Sequence, residues 1–185
     1  MKLPIVKYGN PILRAQGKEI EQVDERIRTL TADMLETMQA ANGVGLAAQQ
    51  VGAALQLTVL DVSQVEDRPS LLKLNGTEVD PANAMPLILL NPKLDADEEI
   101  ASGNEGCLSF PDITAEIDRA VSVEVEAKTL DGETVRIEAS GLLARALQHE
   151  VDHLNGILFI DRMSSVAKAS LSSRLKRLQK ETLRG

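Results

Sequence analysis

The sequence has very few cysteine, histidine and aromatic residues. Its 185 residues include one cysteine, two histidines and no tryptophan, and aromatic residues make up 2% of the chain. One cysteine cannot form an internal disulfide, and the core must be built from Leu, Ile, Val, Ala and Met. The first residues lack a secretory leader, and no apolar run is long enough to span a bilayer. These absences predict a cytoplasmic protein with no membrane partner.

Charge is unevenly distributed. The chain carries 20 basic and 28 acidic residues, a net charge of −8 that argues against general or sequence-specific binding of nucleic acid. No stretch rich in Gly, Pro or Ser marks a linker, so residues 1–185 are predicted to form a single domain. Residues 164–185 hold six basic residues and one acidic residue, a net +5 against −13 for the rest. Such a segment is either a docking element or a solvated helix face.

The two histidines are the most informative residues present. His149 and His153 are four apart in the motif H-E-x-x-H, and a helix places residues with this spacing on one face, where both imidazoles could bind one divalent ion. Glu150, beside them, could reach a metal-bound water. The alternative is a pair of structural histidines, hydrogen-bonded on a buried helix.

A catalytic site of this type usually has three protein ligands, and the chain has no third histidine. Cys107 is the strongest remaining ligand, although a lone cysteine is often only a small buried hydrophobe. One thiolate with two imidazoles would suit Zn, Fe, Co or Ni better than Mg or Ca.

Three separate motifs together resemble one family. They are Gly43–Gln50 (GVGLAAQQ), Glu105–Ser109 (EGCLS) and Gln148–Gly156 (QHEVDHLNG), and in this order they are similar to the signature motifs of bacterial-type peptide deformylases. The resemblance extends from about the N-terminus to the C-terminal helix. It implies a hydrolase that removes the N-formyl group from N-formylmethionine of nascent polypeptides and releases formate.

The resemblance also implies roles for individual residues. One divalent metal ion per chain, usually Fe(II) with Zn, Ni or Co able to replace it, would be bound by Cys107, His149 and His153. Glu150 would be the general base, and the Gln50 side-chain amide and the Leu108 backbone N–H would stabilise the oxyanion. The basic C-terminal helix would contact the ribosome.

A further set of residues is predicted to bind substrate. Backbone groups of Val44, Gly45 and Gly106 would pair with the peptide, as in the family. Val44, Leu142 and Ala146, together with the carbon face of His149, are predicted to form the methionine pocket. Arg145 is expected to be a rim residue with its charged end in solvent, the alternative being a contact with substrate carbonyls.

Hydrophobic periodicity predicts an α+β fold with mainly antiparallel sheets around a central H-E-x-x-H helix. The helices are predicted from Asp24 to Gly43, from a cap at Ser140 to Gly156, and from Ser164 to Glu181. Strands are predicted at 55–60 and 87–90, and a hairpin at 121–137 with its turn at 131–132. Residues 65–85 are read as a largely polar connection of no assigned role.

Two other functions are compatible with the histidine motif alone. An endopeptidase would take its third ligand downstream of the second histidine, where the sequence offers Asp161 and Glu181. A binding or scaffold protein would use the metal structurally, with Glu105 closing the fourth position.

Overall fold

The computed structural model describes all residues 1–185 as an α+β fold, as predicted. The nine strands are β1 (Gly45–Ala47), β2 (Leu57–Leu60), β3 (Ser70–Leu74), β4 (Thr77–Val79), β5 (Leu87–Ala96), β6 (Ile100–Cys107), β7 (Phe110–Ala120), β8 (Ser122–Lys128) and β9 (Thr134–Gly141). The helices are α1 (Glu25–Ala40), α2 (Pro81–Ala84), α3 (Leu142–Leu154), α4 (Ser165–Ser170) and α5 (Ser172–Arg184). None of them has the length and apolar character needed to cross a membrane.

All strand pairs within the two sheets are antiparallel. The larger sheet has the order β1-β2-β5-β8-β9-β3-β4, and the second sheet is the hairpin of β6 and β7. β1 is therefore an edge strand of the large sheet, and β6 pairs on one side only. Helix α3 packs on both sheets, contacting β1 at the edge of the large sheet and β7 of the hairpin.

The first predicted helix and the predicted hairpin are both confirmed. Asp24 caps α1 by accepting the backbone N–H of Ile27 at 3.0 Å, and the helix buries Met34 and Met38 completely. In β8 the apolar residues face the core while the acidic residues between them stay exposed. The hairpin turn contains Gly132 at φ 81°, a conformation that favours glycine.

Residues 65–85 contain more structure than predicted. They form β3, β4 and the short helix α2. β3 pairs with β9, with Leu72 opposite Ala139, and Leu72 is buried in the main core. The description of this segment as a connection was wrong, because it supplies the last two strands of the large sheet.

The central helix begins later than predicted. Ser140 belongs to β9, where it pairs with Ser122, and Gly141 is the residue that precedes α3. Gly141 has φ 70°, and a Cβ there would lie 2.1 Å from the Pro69 carbonyl oxygen, so the turn into the helix requires glycine. Leu143 and Leu147 of α3 are fully buried in the main core.

The predicted C-terminal helix is divided in two. Ser164 caps α4 by accepting the N–H of Ala167, and the chain then breaks at Leu171 before α5. Leu175 anchors α5 in a core cluster that includes Phe110. All six basic residues of the segment are exposed, namely Lys168, Arg174, Lys176, Arg177, Lys180 and Arg184.

Candidate metal centre

The three predicted ligands meet in space. One ligand atom from each of Cys107, His149 and His153 lies within 4.8 Å of the others. The histidines occupy successive turns of α3, and Cys107 ends β6, where the hairpin register shifts after Gly106. The Cys107 Sγ is 3.4 Å from Nε2 of His153. A thiol and two imidazoles at this separation can bind a single ion.

The two histidines differ in their affinity for a proton. Burial lowers the pKa of His153 well below its ordinary value, so the ring is neutral, as a metal ligand must be. Burial also disfavours charge on His149, but hydrogen bonds to Cys107 and Glu105 outweigh it and raise the pKa to about 10. The metal-free site therefore attracts a proton, and a divalent cation would supply positive charge at the same place.

Glu105 fixes the orientation of the His149 ring through its Nδ1 atom. Its Oε1 is 2.9 Å from His149 Nδ1, so the other ring nitrogen is left for a metal. Arg119 donates to both carboxylate oxygens, at 2.9 and 3.0 Å, and Arg145 donates to Oε2 at 2.9 Å. Burial alone would raise the pKa of Glu105, but the hydrogen bonds of His149 and Arg119 hold it below its ordinary value. A carboxylate with these partners is not a fourth ligand, which removes the basis for the scaffold interpretation.

The ion-pair network continues to the surface. Arg119 also donates from Nη1 to Asp152 at 2.7 Å, and Asp152 pairs with Arg162. The Arg119 side chain is 4% exposed, whereas that of Arg162 is 47% exposed. The chain of charges thus runs from solvent to the imidazole of His149.

Arg145 does not lie at the rim as expected. It is buried, with 9% of its surface exposed, and donates to the carbonyls of Ile117 and Ala101 in addition to Glu105. A Cβ on Gly103 would lie 2.9 Å from the guanidinium, so this glycine makes room for it. The prediction of a solvent-exposed charged end was wrong, because the hairpin β6–β7 provides the acceptors that an arginine needs in the interior.

Glu150 is buried next to His149 on α3. Only 4% of Glu150 is exposed to solvent, and burial raises the pKa of its carboxyl group to about 7. Thr58 donates to Oε2 at 3.4 Å. A Cβ on Gly45 would be 2.7 Å from Oε1, so the carboxylate packs directly on the backbone of the glycine motif. This close approach gives a physical reason for glycine in that motif.

Gln50 and Leu108 flank the same point. Gln50 is 1% exposed, its Oε1 accepts the N–H of Ala47 at 2.9 Å, and its Nε2 faces Cys107 Sγ at 3.5 Å and Ser109 Oγ at 3.1 Å. The amide is therefore fixed with its donor end toward the site. The carbonyl of Leu108 accepts from Lys7 Nζ at 3.1 Å.

Residues 6–8 hydrogen-bond to the segments that contain Gln50 and Leu108, a role that the sequence did not indicate. The N–H of Val6 donates to the Gln50 carbonyl at 2.7 Å, and that of Tyr8 donates to the Ser109 carbonyl at 2.9 Å. Lys7 lies between them. No motif marks this segment, because its contribution is mainly backbone hydrogen bonding.

A cleft of about 560 Å³ opens in front of Glu150 and two of the ligands, Cys107 and His149. Its lining includes all six residues predicted to bind substrate, which are Val44, Gly45, Gly106, Leu142, Arg145 and Ala146. The Val44 carbonyl already accepts the N–H of Asp61 at 2.8 Å. By the alternation of antiparallel pairing, the carbonyl and N–H of Gly45 are turned toward the cleft.

The endopeptidase interpretation has no support in the ligand cluster. Asp161 is engaged by Arg14 and by the backbone N–H of Leu158. Glu181 is exposed on α5. Neither belongs to the group formed by Cys107, His149 and His153.

Comparison with known proteins identifies the family. The polypeptide deformylase family model matches residues 2–169. A peptide deformylase of Methylacidiphilum infernorum is 44% identical over 180 residues, covering 97% of this chain and 94% of the relative. One from Acinetobacter baumannii is 40% identical over 97% of this chain and 93% of its own length.

Solved structures agree with the sequence comparison. The crystal structure of a plant peptide deformylase superimposes with a TM-score of 0.84 at 38% identity, covering 97% of this chain and 90% of that one. The enzyme of Ehrlichia chaffeensis gives a TM-score of 0.83 at 36% identity and covers 99% of both chains. On these matches, which extend over nearly all of its length, the chain belongs to the polypeptide deformylase family.

Proposed function

We propose that Cys107, His149 and His153 hold the metal ion of this deformylase and that Glu150, Gln50 and Leu108 act on the substrate. Deformylases are metal-dependent hydrolases that remove the N-formyl group from nascent peptides, and this chain is one of them. The observation that carries the assignment is the convergence of a thiol and two imidazoles beside a buried carboxyl group.

We propose Fe(II) as the resident ion, with Zn, Ni or Co as substitutes. One sulfur and two nitrogens form a ligand set suited to these ions rather than to Mg or Ca, and the family resemblance implies iron. When bound, the ion would supply Lewis-acid chemistry, acidifying water and polarising the formyl oxygen. Glu105 would keep His149 in the tautomer whose free nitrogen faces the ion.

Glu150 is the proposed general base. A pKa raised to about 7 by burial suits a group that takes up and returns a proton near neutral pH. It would accept a proton from the attacking water and deliver it to the amine nitrogen as the formyl C–N bond breaks. The contact with Gly45 and the hydrogen bond from Thr58 would hold the carboxyl in place for both transfers.

The oxyanion that develops on the formyl oxygen needs fixed donors. Gln50 is supported in this role because Ala47 holds its Oε1 and leaves Nε2 directed toward Cys107. Leu108 would contribute its backbone N–H, with its own carbonyl held by Lys7. Because Val6 and Tyr8 hydrogen-bond to both segments, the two donors would keep their separation during turnover.

An extended peptide would lie between the two open strand edges of the cleft. Gly45 in β1 and Gly106 in β6 are the proposed pairing residues, which would add the substrate as a strand. Val44 was also predicted to pair, but its carbonyl is already bound by the N–H of Asp61. Leu142, Ala146 and Val44 would surround the methionine side chain. Arg145 would contribute its buried side chain to the wall of this pocket.

We also propose that α4 and α5 contact the ribosome and that the enzyme is cytoplasmic. Six exposed basic side chains on a segment of net charge +5 support attraction to ribosomal RNA, while the −13 body would be repelled. The location rests on the reducing environment that a free thiol ligand requires.

The decisive experiment measures formate released from formyl-Met-Ala-Ser by protein loaded with Fe(II) without oxygen. Acetyl-Met-Ala-Ser is the matched control, because it differs only by a methyl group at the reacting carbon. We expect formate release and little acetate. A protein with one metal per chain that releases no formate would contradict the proposal.

A further inference from the structure

One cation lies at the mouth of the cleft with no role in the chemistry described above. Arg68, from the loop between β2 and β3, is exposed, lines the cleft and donates from Nη1 to the Asn104 carbonyl at 3.4 Å. Asn104 and Gly106 are two residues apart on β6 and therefore turn their backbone groups to the same edge of the strand. Arg68 is thus attached to the strand edge along which a peptide would pair.

The pocket residues indicate the direction of that peptide. Leu142 and Arg145 precede His149 on α3, and Arg145 reaches the carbonyl of Ala101. The methionine pocket therefore extends from Cys107 back along β6, toward Asn104. Three residues of strand span about 10 Å, so a peptide with its formyl group at Cys107 would bring its next residues beside Arg68.

Few other charges face this end of the cleft. Glu105 is neutralised by Arg119 and Arg145, and Lys7 is tied to the Leu108 carbonyl. Asp112 also lines the cleft, but at the start of β7, on the other side of Cys107 from Asn104. Glu116 lies opposite Asn104 in the hairpin register, and Glu66 and Asp67 adjoin Arg68, but none of these carboxylates lines the cleft. Among the lining residues, the unpaired charge at the Asn104 end is that of Arg68.

We propose that Arg68 is a specificity-determining residue that binds an acidic side chain at the second or third residue of the formyl-methionyl substrate. This inference rests on the proposed function, because it uses the metal ligands to place the formyl group. The guanidinium is free to exchange its single long hydrogen bond to Asn104 for a carboxylate. An exposed pair of this kind changes kcat/KM by about two- to five-fold and weakens as salt is added.

The test compares formyl-Met-Ala-Asp with formyl-Met-Ala-Asn, and formyl-Met-Asp-Ser with formyl-Met-Asn-Ser, all with blocked C-termini. Each pair differs only in charge. We expect kcat/KM to favour the acidic member of at least one pair by about two- to five-fold at low salt, and the ratio to approach one at high salt. In Arg68→Gln the ratio should be close to one, and in Arg68→Glu it should fall below one.

Two variants control for position. Arg26 is an exposed arginine on α1 outside the cleft, so Arg26→Gln should leave the ratio as in wild type. Asp112→Asn should also leave it unchanged, and a ratio that responds to Asp112 instead of Arg68 would overturn the proposed direction. Equal rates within both pairs in the wild type would overturn the inference. Hydrolysis of formyl-Met-Ala-Ser by the same preparation shows separately whether the proposed function holds.

Discussion

Replacing Arg145 by methionine should destabilise the protein far more than removing an arginine from the outer end of the same network. Methionine keeps much of the volume but loses the ion pair to Glu105 and the hydrogen bonds to the carbonyls of Ile117 and Ala101. Removing one partner of a buried pair typically costs about 3–5 kcal/mol. For a chain of this length the melting temperature should fall by roughly 6–20 °C.

Arg162→Met is the matched control. Arg162 pairs with Asp152, but nearly half of its side chain is exposed to solvent. Because solvent screens such a pair, it contributes only about 0–1 kcal/mol to the free energy of unfolding. Urea unfolding of nickel-loaded wild type and both variants, with the same free nickel concentration, would give the three free energies of unfolding.

Loss of Arg145 could also weaken metal binding through Glu105 and His149. A second series on metal-free protein separates the two effects, because the part of the loss that acts through metal affinity is absent without nickel and the packing part remains. A decrease in the free energy of unfolding of less than about 1 kcal/mol for Arg145→Met, or one no larger than for Arg162→Met, would contradict this prediction.

Four other predictions test the site and the tail. Glu150→Gln should retain about one metal per chain by elemental analysis while losing nearly all formate release, whereas Cys107→Ala should lose or weaken metal; an apo Glu150→Gln or a fully active Cys107→Ala would reverse the roles. Iron-loaded enzyme should lose activity in air faster than nickel-loaded enzyme, because iron or the Cys107 sulfur is oxidised, and equal decay would point elsewhere. Since the pKa of Glu105 is lower in the folded chain, its ion pairs stabilise the fold above about pH 4.5 and this stabilisation is lost as the pH falls; the stability gap to Glu105→Gln, from urea unfolding, should therefore narrow in acid and would stay constant if the carboxylate were irrelevant. Truncation after residue 163 should abolish salt-sensitive co-sedimentation with ribosomes, and identical binding by both forms would exclude docking through the tail.

Local geometry made part of the site predictable. Residues four apart on a helix share a face, so the pairing of His149 with His153 followed from their spacing. The approach of Cys107 is different, because it lies 42 positions before His149, and only elimination among the possible ligands and the family resemblance indicated the contact. Spacing within one element is fixed by the backbone, whereas contacts between elements depend on the whole fold.

The wrong predictions share this cause. Arg145 was expected in solvent because its burial depends on acceptors in β6 and β7, and nothing near it in sequence shows them. β3 and β4 have mixed polarity because they lie at the edge of the sheet, and their pairing with β9 defines them. The sequence has no Gly or Pro at the break near Leu171, so the spacing of apolar residues in the tail predicted one continuous helix.

The two unpaired strand edges have a consequence for the range of proteins that the enzyme can process. Main-chain hydrogen bonds are the same for every amino acid except proline, so the proposed pairing of substrate with β1 and β6 would depend little on the side chains of the peptide. Exposed edges ordinarily invite aggregation with other sheets. Here both edges line one cleft of about 560 Å³, between the two sheets, rather than an open face of the protein. If substrate pairs there as proposed, edges that would be a hazard elsewhere would serve as a general receptor for newly made polypeptides.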